Sequence, residues 1–286
     1  MADTNSVGPS KSDVAASLRS VGYLADDGTA ATVLLAERLG RPLLIEGPAG
    51  TGKTQLAKSF ARMTGRRLIR LQCYEGLDEA RALYEWDYRK QLLSIQGGSG
   101  SGDVFGESYL IERPLLEAVR ATDPVVLLID EVDRLDVDTE ALLLEVLAEF
   151  QVSIPELGTV RGERRPAVFL TSNNSRDLSD ALKRRCLFLF LDYPTPEREA
   201  EIVRAAVPDL LPHLVDQAAA ILHSLRQLDL RKAPSISETL DWCRTLCVLG
   251  LAELDDSAVD GTLQVLLKYQ SDIELARKEL FRVSPR

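Results

Sequence analysis

Short unbroken apolar runs alternate with stretches of helical spacing through the first two thirds of the chain. The last third is helical spacing alone. Arg41-Pro-Leu-Leu-Ile-Glu46, Leu68-Ile-Arg-Leu-Gln-Cys73, Pro124-Val-Val-Leu-Leu-Ile129, Ala167-Val-Phe-Leu-Thr171 and Leu187-Phe-Leu-Phe-Leu191 read as strands. The unbroken run Pro124–Ile129 is of the kind covered on both faces in parallel sheets. Between them Thr29–Leu39, Thr54–Met63, Glu79–Ile95, Pro114–Ala121 and Thr139–Phe150 read as helices, the last with Leu142, Leu143, Val146 and Leu147 on one face. Gln151–Ile154 and Gly158–Arg161 suggest a β-hairpin. Gln96–Asp103, rich in Gly and Ser, reads as a flexible insertion. Strands alternating with helices imply an α/β fold with a parallel sheet.

After Asp192-Tyr-Pro-Thr-Pro196 the pattern turns wholly helical, over roughly Glu197–Ala206, Val215–Leu228, Ser237–Leu249 and Val259–Leu280. The spacing therefore predicts a flexible N-terminus over 1–20, an α/β domain over 21–194 and a helical domain over 195–286. No internal repeat is present.

Composition narrows the function classes. With 45% hydrophobic residues the chain can bury a real core. A formal net charge of −10 and a pI near 4.9 disfavour a phosphodiester partner, so no nucleic acid is expected. No run of about eighteen apolar residues and no charged-then-apolar leader occur, which predicts a cytoplasmic protein without stable membrane insertion. Cys73, Cys186, Cys243 and Cys247 are scattered and only His213 and His223 accompany them, so buried reduced thiols are expected, not a zinc set.

The candidate chemistry begins at Gly47, Pro48, Ala49, Gly50, Thr51, Gly52, Lys53 and Thr54, with Gln55 following. These fit G-x-x-x-x-G-K-[ST], in which glycines let backbone N–H groups close around phosphates. The loop joins a predicted strand to a predicted helix, where anions bind. Lys53 would neutralise the β/γ-phosphates of ATP and Thr54 would hold Mg²⁺. Val125-Val-Leu-Leu-Ile-Asp130-Glu131 ends a hydrophobic strand in two acids. Asp130 would support the Mg²⁺ and Glu131 would polarise the attacking water.

Three further positions carry two readings each. Asn173, at the end of the next strand, either faces the γ-phosphate or makes an Asx turn. Arg184 and Arg185 are either a solvated helix end or an arginine finger reaching a neighbour's ATP. Tyr74, beside Gly76, either grips a polypeptide or packs ordinarily. Tyr84, Trp86 and Tyr88 on the predicted second helix either make an aromatic interface patch or are partly buried in the ordinary way, the second favoured because spacing of two does not share one helical face.

The order of these pieces resembles the AAA+ ATPases: Walker A at Gly47–Thr54, Walker B at Asp130–Glu131, sensor 1 at Asn173, and a finger at Arg185 with Arg184 as second choice. The resemblance implies a P-loop AAA+ three-layer αβα domain with a parallel sheet, then a small all-α lid domain. A narrower similarity is to the MoxR branch and its CoxD-like group. It rests on the insertion near Gly97–Ser108, the hairpin before sensor 1, and the segments Cys73-Tyr-Glu-Gly-Leu-Asp78, Ala82-Leu-Tyr-Glu-Trp86, Ile154-Pro-Glu-Leu-Gly-Thr159 and Leu230-Arg-Lys-Ala-Pro-Ser-Ile-Ser-Glu-Thr-Leu-Asp-Trp242. Many relatives place a lid arginine directly after Ser-Pro. Here Pro234 is followed by Ser235, and Arg231 is the nearest sensor 2 candidate.

This resemblance implies a ring-forming, usually hexameric ATPase that remodels a client protein. Adenine would lie near Val21–Leu24. The family resemblance also implies a partner bearing a von Willebrand factor A domain, and the CoxD-like likeness alone implies a molybdenum–copper enzyme client. The alternatives are a nucleotide-gated assembly scaffold with slow hydrolysis and, less favoured by the charge, a DNA-loading motor.

Overall fold

The five apolar runs become the five strands of one sheet. In the computed structural model, which describes residues 9–96 and 105–281, the chain divides into two units: residues 1–47 with 53–191, and residues 48–52 with 192–286. The first runs α1 (Lys11–Ser20), α2 (Asp27–Leu39), β1 (Leu43–Glu46), α3 (Lys53–Thr64), β2 (Arg67–Gln72), α4 (Glu79–Ala82), β3 (Tyr84–Trp86), α5 (Tyr88–Gln96), β4 (Leu110–Glu112), α6 (Pro114–Arg120), β5 (Val125–Asp130), α7 (Val137–Glu149), β6 (Gln151–Ile154), β7 (Gly158–Arg161), β8 (Ala167–Ser172), α8 (Asp180–Arg185) and β9 (Leu187–Phe190).

Five strands form a parallel sheet in the order β2-β5-β8-β1-β9. Every residue of β5 is buried. Alternation sends Val126 and Leu128 into one core with Leu56, Phe60 and Phe169, and Val125, Leu127 and Ile129 into the other with Leu116 and Val119. That double cover is why the run lacks polar alternation, and truncating Leu128 to Ala would cost about 2–5 kcal/mol. After β1 the chain leaves for β2 at one edge of the sheet, whereas β9 lies on the other side of β1. The loop after β1 thus opens at a topological switch point, where ligands bind in open α/β sheets.

The second unit holds α9 (Pro196–Ala206), α10 (Pro212–Arg226), α11 (Ile236–Val248), α12 (Asp256–Leu266) and α13 (Gln270–Leu280). Trp242 is fully buried at its centre, its indole N–H donating to Thr262 Oγ1 across 2.8 Å. A buried ion pair joins Arg226 to Glu199 through two bonds, 2.6 and 2.7 Å, and the Thr239 hydroxyl donates to the same carboxylate. Removing one partner of such a pair costs about 3–5 kcal/mol, because the other charge stays buried. Gly50 belongs to this unit. Its carbonyl accepts from the Ile236 N–H across 3.2 Å. Among the described residues no helix is long and apolar enough to cross a membrane.

Three expectations are corrected. Within the stretch 1–20, α1 is an ordered helix: Ser10 and Asp13 form a capping box, and Val14 and Leu18 are buried. The helix expected over Glu79–Ile95 is broken into α4, β3 and α5, with β3 paired antiparallel to β4. Spacing of two between Tyr84 and Trp86 is the period of a strand, and their rings meet edge to face at 6.2 Å. The Asp87 carboxylate then accepts from the Lys90 N–H (3.0 Å) and starts α5. Finally, Val259–Leu280 is two helices, α12 ending at Leu266 and α13 starting at Gln270. Leu267 turns extended at φ −107°, ψ 137° and is itself buried, so core packing overrides the helical spacing there.

The hairpin β6–β7 lies where the sequence placed it. Most of the Gly/Ser insertion, residues 97–104, falls outside the described residues. Cys73, Cys186 and Cys243 are buried free thiols, each pushed up to about 12 by burial, which leaves them inert as nucleophiles.

Candidate functional site

Gly47 ends β1 at φ +149°, and a Cβ there would stand 1.9 Å from the Leu191 carbonyl oxygen. Leu191 N–H donates to the Glu46 carbonyl at 2.8 Å, so backbone closes on both sides of this glycine. Lys53 and Thr54 open α3. Lys53 is buried, and its ammonium donates to the Gly47 carbonyl at 2.8 Å. Burial draws its pKa below the ordinary lysine value, with Asp133, Asp130 and Glu131 offsetting part of that. Pro48, Ala49, Gly50, Thr51 and Gly52 form the loop tip, where the Thr51 hydroxyl donates to the Pro48 carbonyl at 3.0 Å. Gln55 points away along α3, its amide donating to Ser59 Oγ at 3.3 Å.

Three neighbouring strands converge on Asp130, which is 2% exposed. Its Oδ1 accepts from Thr54 Oγ1 at 2.8 Å and from Thr171 Oγ1, at the end of β8, at 2.5 Å. Its Oδ2 accepts from Arg70 of β2, at 3.0 Å from Nε and 2.5 Å from Nη2. Thr171 Oγ1 also accepts from the Glu131 N–H at 2.9 Å. Glu131 itself adopts a left-handed backbone, φ 59° and ψ 48°, which turns the chain sharply off the strand.

Two side chains hold the Glu131 carboxylate by the same oxygen. Gln72 Nε2 donates to Oε2 at 3.2 Å, and Arg134 Nε lies 2.7 Å from it. The Arg70 guanidinium also donates to Gln72 Oε1, so Arg70 and Gln72 tie Asp130 and Glu131 together from β2.

Asn173 is held by its backbone. Its N–H donates to Asp133 Oδ2 at 3.2 Å, and that oxygen also accepts from the Ser175 N–H at 2.9 Å and its hydroxyl at 2.6 Å. Burial raises the Asp133 pKa, but the bonds from Ser175 and Asn173 more than offset it and leave the carboxyl below its ordinary value. Asn173, Asp133, Arg134, Ser175, Arg176 and Glu75 line a groove of about 440 Å³. Behind it, buried Glu140 accepts from Arg176 and from the Ser179 N–H, pinning the rest of the loop.

Arg184 and Arg185 do not join this cluster. They end α8, just before Leu187, which pairs with Leu43 at the start of β1, whereas the phosphate loop follows Glu46 at its end. Both side chains fold back on their own helix: Arg184 Nε donates to the Asp180 carbonyl (3.2 Å) and Arg185 Nη1 to the Ala181 carbonyl (2.9 Å). Arg231 lies in the second unit, its guanidinium 4.2 Å over the Tyr269 ring. Tyr74 is exposed, and its hydroxyl accepts from Arg81 at 3.2 Å.

Sequence reasoning missed Arg70, Gln72, Thr171, Asp133 and Arg134. The parallel register sets Gln72 beside Asp130, which only pairing of distant strands can reveal. A usable local signal was present: Arg70 and Gln72 are the polar residues inside an otherwise apolar run.

Thr54 and Asp130 supply hard oxygen donors, Lys53 a buried cation and Gly47 a backbone cradle, together the equipment for a nucleoside triphosphate's phosphates. Residues 42–186, just over half of the chain, match the family model described as AAA domain (dynein-related subfamily). The chain belongs to this family of AAA+ ATPases, with a nucleotide-binding site and ATP hydrolase activity. Among similar proteins are the gas vesicle ATPase GvpN of Haloferax mediterranei, 28% identical over 85% of this chain and 73% of that protein, and protein CbbQ of Hydrogenophilus thermoluteolus, 27% identical over 57% of each. A Lon protease of Rickettsia conorii is 32% identical over 58% of this chain but only 20% of that protein. A RuvB variant of Thermotoga maritima shares the fold, with a TM-score of 0.53 and 18% identity over 97% of this chain and 79% of that one.

Proposed function

We propose that this chain works as a MoxR-type AAA+ ATPase in a ring, hexameric by family likeness, and couples ATP hydrolysis to remodelling a client protein complex. The observation that carries the ring is the placement of Arg184 and Arg185 at the end of β9 remote from the chain's own phosphate loop. A finger there serves a neighbour's ATP, so assembly and hydrolysis are coupled.

In this reading the loop N–H groups and Lys53 bind the β/γ-phosphates. Bound Mg²⁺ supplies charge neutralisation on the phosphate oxygens, and Thr54 with Asp130 would hold it. Glu131, fixed through Oε2, presents its other carboxylate oxygen to the attacking water, and Asn173 helps align that water. Arg185 of the adjacent copy, or Arg184, stabilises the developing charge. Arg231 is the sensor 2 candidate. Its guanidinium lies over the Tyr269 ring.

The client is proposed by likeness alone. CoxD-like segments favour a molybdenum–copper enzyme and a von Willebrand factor A-domain partner. The exposure of Tyr74 favours its grip on polypeptide over ordinary packing. The test is Glu131→Gln. It should bind ATP, lose about a hundredfold or more in turnover, and trap ATP in an assembled ring by sedimentation. Turnover equal to the wild type would remove Glu131 from the reaction.

A further inference from the structure

The finger helix α8 is only six residues long, and its last carbonyls emerge without a following turn to satisfy them. Cys186, its C-cap, is already extended at φ −93°, ψ 155°. One side chain from elsewhere covers the exposed end. The Arg41 guanidinium donates to three consecutive carbonyls: Arg184 at 2.7 Å and Cys186 at 3.1 Å through Nη2, and Arg185 at 3.3 Å through Nε.

Arg41 is itself fixed from both sides. It follows Gly40, the left-handed C-cap of α2, and its own N–H donates to the Ala36 carbonyl at 3.1 Å. It precedes Pro42, whose carbonyl accepts from the Leu187 N–H at 2.8 Å. The strand leading to the phosphate loop and the helix carrying the finger are thus joined at one residue.

We propose that Arg41 is the positioning residue for the arginine finger: its guanidinium clamps the C-terminus of α8 and sets the direction in which Arg184 and Arg185 leave it. This rests on the trans-finger reading above. A planar fork with several N–H donors can hold three backbone oxygens at once, whereas a lysine offers one compact charge on a flexible stem. The clamp also neutralises the negative end of the α8 dipole. Arg41 is exposed and lines an open cavity of about 230 Å³, so truncation lets water reach the three carbonyls and the fold persists. What changes is the aim of the finger, and a displacement of about 1 Å can cost a hundredfold in rate.

The experiment measures ATP turnover and nucleotide affinity of Arg41→Ala and Arg41→Lys, alone and in mixed assemblies. Arg41→Ala should lose about tenfold to a hundredfold in kcat with KM and nucleotide affinity near wild type, and Arg41→Lys should fall between. Mixed with Lys53→Ala, which cannot hold ATP but carries an intact finger, Arg41→Ala should regain turnover. Mixed with Arg185→Ala it should not, since neither chain then offers an aimed finger. Recovery in that second mixture, wild-type turnover of Arg41→Ala alone, or failure of Lys53→Ala to rescue it would each overturn the proposal. The control pairs Arg185→Ala with Lys53→Ala. If that mixture stays inactive, the trans-finger reading itself falls, and this inference with it.

Discussion

The Gln72 carboxamide donates to the Glu131 carboxylate across 3.2 Å, from one parallel strand to the end of the next. Gln72 and Arg134 share Oε2, so both hold the carboxylate by one oxygen. In the proposed mechanism, where the remaining oxygen polarises the attacking water, Gln72 positions Glu131 without blocking it. Gln72→Ala should lower kcat by roughly tenfold through lost alignment, with nucleotide affinity unchanged. Steady-state kinetics beside a nucleotide titration would check this, and a raised kcat would show that the bond restrains the glutamate instead.

Asp133 clamps the Asn173 loop by accepting three bonds on one oxygen while only 3% exposed. Asp133→Asn replaces charge-assisted bonds with neutral ones and should cost about 1–2 kcal/mol at pH 7, read from urea unfolding.

Acid should act on the same carboxylate. The folded pKa values of Asp133 and Glu140 both lie below their ordinary values, because hydrogen bonds outweigh the burial that would raise them. Their stabilisation is thus fully present above about pH 4, the unfolded range, and is lost as pH falls through the depressed folded values. Melting temperature should show no loss from these two groups between pH 7 and about 5, then drop below about 4. Asp133→Asn should lose less on acidification than the wild type. An equal loss would remove Asp133 from the acid response.

Gly47 and Gly65 offer a matched comparison. Both have positive φ, +149° and +66°, but a Cβ at Gly65 meets nothing within 4 Å while one at Gly47 would strike the Leu191 carbonyl at 1.9 Å. Gly65→Ala should cost on the order of 1 kcal/mol from backbone strain alone. Gly47→Ala should cost clearly more and also lower nucleotide affinity, because the loop must move. Equal urea midpoints for the two variants would contradict the close approach.

Which features were legible in the sequence depended on distance along the chain. The three inner strands β1, β5 and β8 were readable because burial on both faces leaves unbroken apolar runs, as in Val125–Ile129, whereas the edge strands β2 and β9 are exposed along one face and showed only as short apolar-rich runs. The phosphate loop and Asp130–Glu131 were readable because their spacing is local. β3 was not: three residues paired with β4, beyond a long insertion, make a strand only through that partner, and Tyr84 and Trp86 showed its period without its context. Gln72, which holds Glu131, comes from another strand, and Asp133, which holds the Asn173 loop, from the segment after β5, so these became visible only once β2, β5 and β8 lay side by side.

The most direct test of the account is ATP turnover per chain as a function of protein concentration, for wild type and Arg185→Ala. If the site is completed by a neighbour, wild-type turnover should rise with concentration to a plateau, and the variant should stay at least about tenfold lower throughout. Turnover per chain independent of dilution, with Arg185→Ala equal to wild type, would contradict a finger supplied in trans.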